Sequence, residues 1–321
     1  MFRVLKYIDM IYREKSFSRA AQKLHLAQPS LSLTVKKFEQ EIGIQIFDRS
    51  ATPIRLTDAG EVYLRGIQQI LAIESDLEAY IDDYNELKTG QLVVGAAHLF
   101  ASYLLPGMIA QFQKQYPHVE VRLVEGNFNS LHQMLFDGTI DLFIDSNDLD
   151  EKLFYCLSLR DEHILLAVPR SDGANEVLED YRLNAEDVCQ DKHLEESCPA
   201  ISLSVFQNHR FLSLEKGHDM RERGRQMCRD SGFEPQIGME LNQLMTIYNL
   251  VDQQLGVAFI SDTIVKLSPP GRNILFYKLQ GTLATRHINL AYKSSRYVSR
   301  AMDAFIKLVE TQEEGAAKLY T

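Results

Sequence analysis

Apolar residues in the first 45 positions recur at the three- and four-residue spacing of helices, and polar residues fill the positions between them. This pattern predicts a helix over residues 2–14. Its inward-facing positions are Leu5, Ile8, Met10 and Ile11. A second helix is predicted to begin at a serine cap, Ser16 or Ser18, and to run to about residue 24. The turn His25-Leu26-Ala27 then leads into a third helix.

The third helix is predicted over residues 28–41, with Pro29 in its first turn and Gly43 as its C-terminal cap. A buried stripe is predicted at Leu24, Leu31, Val35, Phe38 and Ile42. The opposite face carries small polar and basic side chains and one leucine: Gln28, Ser30, Ser32, Leu33, Lys36 and Lys37. Two short helices joined by a tight turn are typical of a helix-turn-helix, whose second helix can enter the major groove of DNA.

A wing and a long helix are predicted next. Ile46-Phe47 and Arg55-Leu56 favour two short strands around a polar tip that contains Pro53, and Thr57 is placed to cap the helix that follows. Apolar positions along that helix step by fours and threes, as in a coiled-coil seam. The seam positions are Tyr63, Ile67, Ile70, Glu74, Leu77, Ile81 and Tyr84. We therefore expect a partner helix from a second copy; the alternative is packing of the stripe on its own chain.

From residue 90 onward, predicted strands and helices alternate, which indicates parallel strands joined by crossover helices. The predicted strands are 91–96, 119–124, 141–144, 163–168 and 257–260, and the predicted helices are 104–116, 131–137, 220–231, 241–253 and 298–311. The polar segment 171–204 has no strong pattern and receives no assignment. The fold class predicted for this part is α/β.

Charge is unevenly distributed along the 321 residues, whose net charge is −10. Residues 1–65 hold 11 basic and 7 acidic side chains, which leaves −14 for the rest. A mildly basic N-terminal segment on an acidic body suits a protein that meets DNA phosphates through its first domain only. The length predicts two or three domains.

The sequence also predicts the cellular compartment and whether a metal or cofactor is needed. We expect a cytoplasmic protein without membrane attachment, because no apolar run reaches about 18 residues and the N-terminus lacks the form of a signal peptide. The four cysteines, Cys156, Cys189, Cys198 and Cys228, are widely spaced and include no CxxC pair, which argues against a zinc site and a disulfide scaffold. Neither a metal nor a cofactor is expected.

A set of short motifs resembles LysR-type transcriptional regulators in order and separation. Besides the helix-turn-helix, the set comprises Leu56-Thr57-Asp58-Ala59-Gly60, Gly90-Gln91-Leu92-Val93-Val94-Gly95, Leu105-Pro106, Phe112, Tyr116-Pro117, Glu125-Gly126, Gly138-Thr139-Ile140-Asp141-Leu142, Gly217-His218-Asp219-Met220-Arg221, Gly232-Phe233-Glu234-Pro235 and Gly256-Val257-Ala258-Phe259. The resemblance covers nearly the whole chain. It implies a winged helix-turn-helix, a linker helix that forms a homodimer, and a two-lobed α/β effector domain similar to periplasmic solute-binding proteins.

The resemblance implies five segments. Residues 1–57 would form the winged helix-turn-helix, 58–89 the linker helix, and 312–321 a C-terminal tail. Residues 90–163 and 265–311 would form the first effector-domain lobe, and 164–264 the second. Family members often assemble as homotetramers and, when they activate transcription, contact RNA polymerase, so these partners are expected beside the double-stranded DNA operator and a small-molecule effector.

By position in the family pattern, Gln28, Pro29, Ser32 and Leu33 would point into the DNA groove. Gln28 can read an adenine edge, and Pro29 a thymine methyl group. Relatives often have Arg where this chain has Leu33, so an apolar contact would replace a guanine contact there. The other candidate DNA contacts are Ser18, Ser30, Thr34, Lys36, Lys37, Arg49 and Arg55, and the less favoured alternative for Lys36 and Lys37 is a solvated face.

The effector would bind between the lobes, at the carboxyl ends of the strands. The candidate residues are Ala97, His98, Leu99, Phe100, Ser102, Asn127, Phe128, Asn129, Asp145, Ser146, Gly217, His218, Leu241 and Asn242. Where many relatives carry hydroxyl side chains, this chain has Ala97, Leu99 and Phe100, which favours an apolar or aromatic effector that can also be an acid. His98 and His218 are candidate switches or anion partners, with a structural role as the alternative. For Phe100 and Phe128 the alternative is a place in the core.

Three other functions are less favoured. The sequence contains no GxSxG, HExxH, P-loop or GxGxxG motif of an enzyme. A solute-binding transport protein would fit the body but neither the DNA-binding head nor the missing signal peptide. A peroxide-sensing member of the family would carry a reactive Cys where this chain has Asp219, so a disulfide with Cys228 cannot form; oxidation of the pair Cys189 and Cys198 remains open.

Overall fold

The structure is a computed structural model that describes residues 2–51, 53–84, 90–147, 149–269 and 271–319. The chain divides into two compact units. The first comprises residues 1–88 with the short segments 136–139 and 296–299, and the second comprises the remainder. Within the described ranges, no helix combines the length and the apolar character that a membrane crossing needs.

The first unit is a winged helix-turn-helix followed by a long helix, as predicted. Its elements are α1 (Phe2–Glu14), α2 (Phe17–Lys23), α3 (Gln28–Ile42), β1 (Phe47–Asp48), β2 (Arg55–Leu56) and α4 (Asp58–Tyr84). Ser16 is the cap of α2, since its hydroxyl accepts the N–H of Arg19. Gly43 ends α3 in the left-handed conformation at φ 71°, which favours glycine. Thr57 caps α4 by accepting the N–H of Gly60 at 2.9 Å.

Helix α4 differs from the predicted seam. Ile67 is buried against the core of the helix-turn-helix, and Tyr63 and Ile70 pack on the same core. The first half of the stripe is thus covered by its own chain, so the expectation of an intermolecular seam is wrong there and the alternative, packing on its own chain, holds. In the second half, Ile73 is 61% exposed and Leu77 is 59% exposed. The predicted seam position Tyr84 has a side chain outside the described residues.

The second unit is an α/β domain, as predicted. Its strands are β3 (Gly90–Ala96), β4 (Val119–Glu125), β5 (Leu142–Asp145), β6 (Phe154–Pro169), β7 (Arg210–Leu214), β8 (Gln236–Leu241), β9 (Val257–Ser261), β10 (Ile274–Lys278) and β11 (Thr285–Lys293). Its helices are α5 (His98–Tyr103), α6 (Leu105–Gln115), α7 (Phe128–Phe136), α8 (Ala174–Val177), α9 (Ala185–Cys189), α10 (Asp219–Asp230), α11 (Leu244–Asp252), α12 (Asp262–Leu267) and α13 (Arg300–Leu319).

The strands form two lobes that share one long strand. In the first lobe the order is β4-β3-β5-β11-β6, and in the second it is β6-β9-β7-β8, with β10 on the other side of β6. Strand β3 is parallel to β4 and β5, and β7 is parallel to β8 and β9. The first part of β6 pairs with β11 up to His163, and its second part pairs with β9 and β10 from Ile164 onward.

In this pairing the chain crosses into the second lobe at residue 164, as expected. It passes back into the first lobe later in the sequence than expected. Strand β10 pairs with β6 from Lys278↔Leu165 to Ile274↔Pro169, so residues 274–278 lie in the sheet of the second lobe. The expectation that the first lobe resumes at residue 265 is therefore wrong, and the chain returns between β10 and β11. The apolar run of β10 is typical of a buried strand, but a run alone does not identify its sheet.

The unassigned segment 171–204 is part of the second lobe rather than a polar appendage. It forms α8, α9 and short 3₁₀ turns, and its Leu183, Val188 and Leu203 are buried in the core of that lobe. Leu183 also forms an isolated backbone bridge with Phe276 of β10. These elements are too short and irregular to produce a periodic pattern in the sequence, which is why none was predicted.

Candidate functional site

Helix α3 presents a solvent-facing row of side chains that its own core does not use. Gln28, Pro29, Ser30, Leu33, Lys36 and Lys37 are all exposed, whereas Ser32 and Thr34 are half-buried. Leu33 is 55% exposed although it is apolar. The hydroxyl of Thr34 donates to the backbone oxygen of Ser30 at 2.8 Å, so its proton is used within the helix. Ser18 on α2 and Arg55 on β2 are exposed as well.

Arg49, at the start of the wing, is held in place by three neighbours. Its Nη2 lies 2.9 Å from Oε2 of Glu39, and its Nη1 donates to Oγ of Ser32 at 3.2 Å. The guanidinium carbon lies 5.0 Å from the centroid of the Phe17 ring, within cation–π range. Arg49 is thereby fixed against α3, and its remaining N–H groups are available to a phosphate.

Glu39 is a residue that sequence reasoning missed. Its side chain is 7% exposed, and its Oε1 accepts the backbone N–H groups of Ile46 at 2.9 Å and Phe47 at 3.1 Å. One carboxylate thus joins α3, the first residues of the wing and Arg49. The available signal was its position four residues after the buried Val35, where a charge needs partners.

A cavity of about 450 Å³ lies within the second unit, at the carboxyl ends of β3, β4, β5 and β7. Twelve of the fourteen predicted effector residues line it: Ala97, His98, Leu99, Phe100, Asn127, Phe128, Asn129, Asp145, Ser146, Gly217, His218 and Asn242. Ser102 and Leu241 lie outside its lining. Ser102 is on the outer side of α5, and Leu241 packs against the core of the second lobe.

Two acidic groups in the cavity have defined partners. Nδ1 of His98 lies 2.8 Å from Oε2 of Glu125, and both side chains are about half-exposed. Asp145 is buried, and its Oδ1 accepts the backbone N–H groups of Ser146 at 2.8 Å and Asn147 at 2.9 Å. Burial raises the pKa of Asp145, and these hydrogen bonds only partly oppose that rise.

Arg286, which sequence reasoning also missed, reaches the cavity from β11. Its Nε donates to Oε2 of Glu162 at 2.6 Å, across from it on β6, and its Nη1 lies 3.5 Å from Oδ2 of Asp219. Arg223 binds the same Asp219 oxygen at 2.7 Å. Burial by itself would lower the pKa of Arg286, but Glu162 and Asp219 raise it overall, so the guanidinium is charged. The strand that carries Arg286 was not predicted, so nothing placed this residue at the cavity.

The four cysteines, all in the described part of the chain, form no disulfide with one another. Cys228 is buried, and burial raises its pKa to about 12. Burial also raises the pKa of Cys189 and Cys198, so neither forms a reactive thiolate readily. Asp219, the residue at the position of a reactive cysteine in the peroxide-sensing pattern, is instead paired with Arg223 and Arg286.

Both parts of the chain match known protein families. Residues 2–61 match the family model described as bacterial regulatory helix-turn-helix protein, lysR family. Residues 85–313 match the model of the LysR substrate binding domain. An HTH-type transcriptional regulator of Bacillus subtilis (strain 168), YcgK, is 29% identical over 306 residues, which are 95% of this chain and 93% of that protein.

Further relatives cover similar shares. A probable RuBisCO transcriptional regulator of Cyanidioschyzon merolae is 26% identical and covers 94% of both chains. Among solved structures, a full-length OxyR variant of Pseudomonas aeruginosa aligns with a TM-score of 0.71 at 25% identity, over 96% of this chain and 94% of that one. Full-length CbnR in complex with its target DNA has the same fold, with a TM-score of 0.64 at 18% identity over 97% and 99%.

The two family models match the helix-turn-helix and the α/β domain respectively, and the second alone covers more than half of the chain. The first model corresponds to the winged helix-turn-helix of the structure, and the second corresponds to its two-lobed α/β domain. The chain therefore belongs to the LysR family, as a transcriptional regulator with an N-terminal DNA-binding head and a C-terminal effector-binding domain.

Proposed function

We propose that this regulator reads its double-stranded DNA operator with the exposed face of α3 and changes transcription when a small molecule occupies the cavity of the second unit. The observation that carries the DNA part is the row of exposed side chains on α3, which the core of the head does not need. Gln28 is suited to an adenine edge, and Pro29 and Leu33 to thymine methyl groups. Ser18, Ser30, Ser32, Thr34, Lys36, Lys37, Arg49 and Arg55 would contact phosphates or support those contacts.

The cavity is lined by both apolar and polar side chains. This lining supports the proposal that the effector is a small molecule with one apolar side. Leu99, Phe100 and Phe128 line one part of it, and His98, His218 and Arg286 supply cationic or hydrogen-bonding groups. A volume of about 450 Å³ lies within the range of sites for small molecules. Closure or opening of the two lobes around the effector would then alter the geometry of the DNA-bound heads.

We further propose that the exposed stripe of α4 around Ile73 and Leu77 is covered by the same helix of a second copy. Large exposed apolar side chains in a row are unfavourable in water unless a partner covers them. Two such dimers would form a homotetramer, and an activating complex would contact RNA polymerase. The proposed site of action is the cytoplasm, where the regulator would meet its DNA operator.

The first experiment separates base reading from phosphate contact. Operator DNA is selected from a randomised pool with the full-length protein, and binding is then measured for Gln28→Ala and Lys36→Gln. We expect Gln28→Ala to weaken the selected sequence by about 1–3 kcal/mol and to relax preference at one base pair. Lys36→Gln should weaken all sequences similarly and reduce the slope against salt by about one.

Lys114→Gln is the matched control for Lys36→Gln, because Lys114 is an exposed lysine of α6 in the other unit. It should leave both the affinity and the salt slope unchanged. Equal effects of Lys36→Gln and Lys114→Gln would refute the assignment of α3.

A second experiment tests the cavity. Thermal unfolding of the protein is measured in the presence of small acids, aromatics, amino acids and sugars, and a compound at about 100 times its Kd adds roughly 2.7 kcal/mol of stability. Retention of that shift in a His218→Ala, Phe128→Ala variant would contradict the cavity as its site.

A further inference from the structure

A second cluster of chemically active side chains lies in the second lobe, away from the lining of the effector cavity. His163, His193 and Asp262 bring one ligand atom each to within 4.8 Å of one another. In the part of the chain that the structure describes, this trio is the one such grouping of three histidine, cysteine or acidic side chains. It joins three separate elements: β6 at the crossing between the lobes, the 3₁₀ turn 192–194, and the start of α12.

The distances within the trio suit a metal ion. Oδ2 of Asp262 lies 3.2 Å from Nε2 of His193 and 3.7 Å from Nδ1 of His163. Three ligands at the usual zinc bond lengths of about 2.0–2.1 Å, arranged tetrahedrally, stand about 3.3 Å apart. The separation of 3.7 Å is too long for a good hydrogen bond, yet it is close to the spacing of two ligands on one ion.

Unsatisfied polar atoms point to the same conclusion. Nδ1 of His163 is buried and has no hydrogen-bond partner, although it faces the Asp262 carboxylate. His193 is 1% exposed, and Asp262 is buried as well. The other oxygen of Asp262 accepts the backbone N–H of His163 at 2.9 Å, which orients the carboxylate. A ligand that is oriented by a second hydrogen bond is the usual arrangement at protein metal sites.

From these observations we infer that His163, His193 and Asp262 form a site for a divalent transition metal of the zinc type. Two imidazoles and one carboxylate match the ligands that Zn²⁺ and Co²⁺ prefer, and three protein ligands leave a fourth position for water. His163 is 27% exposed although its Nδ1 is buried, so the trio lies just beneath the surface of the lobe. The inference is independent of the proposed effector, because none of the three residues lines the cavity.

Lys266 is the internal competitor for this ion. Its Nζ lies 2.9 Å from the same Asp262 oxygen and 2.6 Å from Oδ1 of Asp191. Because Asp191 is already within reach, the ammonium can turn wholly to Asp191 when a metal takes its place beside Asp262. Removal of the ammonium should therefore strengthen metal binding, whereas removal of a ligand should abolish it.

A metal ion at this site would act as a clamp, that is, it would hold three separate elements of the second lobe together. His193 lies in the segment 171–204, Asp262 begins α12, and His163 is the last residue of β6 that pairs with β11. A bound ion would tie all three to one point beside the crossing between the lobes. Glu162, the neighbour of His163, binds Arg286 of the cavity, so the clamp is adjacent in sequence to the effector site.

The experiment uses the full-length protein without a polyhistidine tag, stripped with a chelator and titrated with Co²⁺ and Zn²⁺. We expect one Co²⁺ per chain with the visible absorption of a tetrahedral site, and one equivalent of Zn²⁺ that displaces it. His163→Gln and His193→Gln should each weaken binding by at least about 100-fold, more than the roughly 10–100-fold that loss of a supporting partner costs. Lys266→Met should tighten binding by about ten-fold or more.

His209→Gln is the matched control, since His209 is a partly buried histidine of the same lobe whose Nε2 lies 3.1 Å from Asp172. It should bind the metal as the unaltered protein does. His163→Gln tests the site without a change at the fully buried His193, and circular dichroism checks that each variant is folded. Absence of stoichiometric binding in both the unaltered protein and Lys266→Met, or equal binding by folded His163→Gln, would overturn the inference.

Discussion

Replacement of Glu39 by alanine tests how the DNA-binding head holds its wing. The carboxylate accepts two backbone N–H groups, from Ile46 and Phe47, and pairs with Arg49. In Glu39→Ala both N–H groups remain in a buried region without their acceptor, and Arg49 loses its anion. We therefore expect the junction between α3 and the wing to open far more often, while the helices of the head stay folded.

The magnitude follows from these two N–H groups. A buried donor left without a partner costs about 1–3 kcal/mol, so two cost about 2–6 kcal/mol. The ion pair adds less than about 1 kcal/mol, because the Arg49 side chain is 32% exposed and solvent screens the pair. Glu39→Gln keeps one oxygen that can accept both N–H groups, but it puts an NH2 group in place of the oxygen that accepts from Arg49, so the ion pair is lost and the two buried N–H groups stay satisfied. It should therefore cost about 1 kcal/mol or less.

Amide hydrogen exchange of the peptide that contains Ile46 and Phe47 measures this opening directly. A loss of about 2 kcal/mol corresponds to roughly thirty-fold faster exchange. Glu41→Ala is the matched control, because Glu41 is an exposed glutamate on the same helix. Operator affinity should fall in Glu39→Ala as Arg49 loses its position. Unchanged exchange in Glu39→Ala, or an equal effect in Glu41→Ala and Glu39→Ala, would refute the reasoning.

Three further outcomes are expected. Because burial raises the pKa of Asp145, its protonated form favours the folded state at low pH, and that contribution is lost as pH rises through the folded-state pKa. Asp145→Asn should therefore raise Tm at pH 8 and have little effect near pH 4; a lower Tm at pH 8 would contradict this. Cys228, with a pKa raised to about 12 by burial, should resist alkylation in native protein at pH 8 while the exposed Cys189 reacts first, and mass spectrometry that finds Cys228 modified first would refute it. The double variant Ile73→Asp, Leu77→Asp should sediment as a folded monomer, and an unchanged oligomer would show that this stripe is not the interface.

The helix-turn-helix could be predicted closely because its signals are local. Periodicity, the Ser16 cap and Gly43 each act within one or two turns, and the structure places the three helices within a residue or two of the predicted bounds. Helix α4 shows the limit of this reasoning. Its stripe is regular throughout, but periodicity does not say what covers it, and the structure divides it between the core of the head and solvent.

The effector domain depended on contacts between distant residues. Strand β11, and Arg286 on it, were missed. This strand pairs with β5 and β6, which are distant in sequence, and its own residues contain nothing that identifies those partners. The cavity residues after β3, β4 and β5 could be placed because parallel strands bring their carboxyl ends to one edge. Ser102 was misplaced since the helical turn of α5 directs it outward. The assigned roles of the DNA-binding and effector residues stay predictions.

The place of β11 in the sheet sets an order for biosynthesis. The first lobe is interrupted after β6, the whole second lobe follows as one continuous segment, and β11 then returns to lie between β5 and β6. At roughly 5–20 residues per second, the ribosome needs about 7–30 s to pass from the end of β5 to the end of β11. During that interval the edge of β5 lacks its neighbour, and the second lobe has all of its strands once residue 278 has been added, before β11 is made. The lobe that begins first is thus completed last, and the nascent chain needs protection of the open β5 edge until β11 emerges.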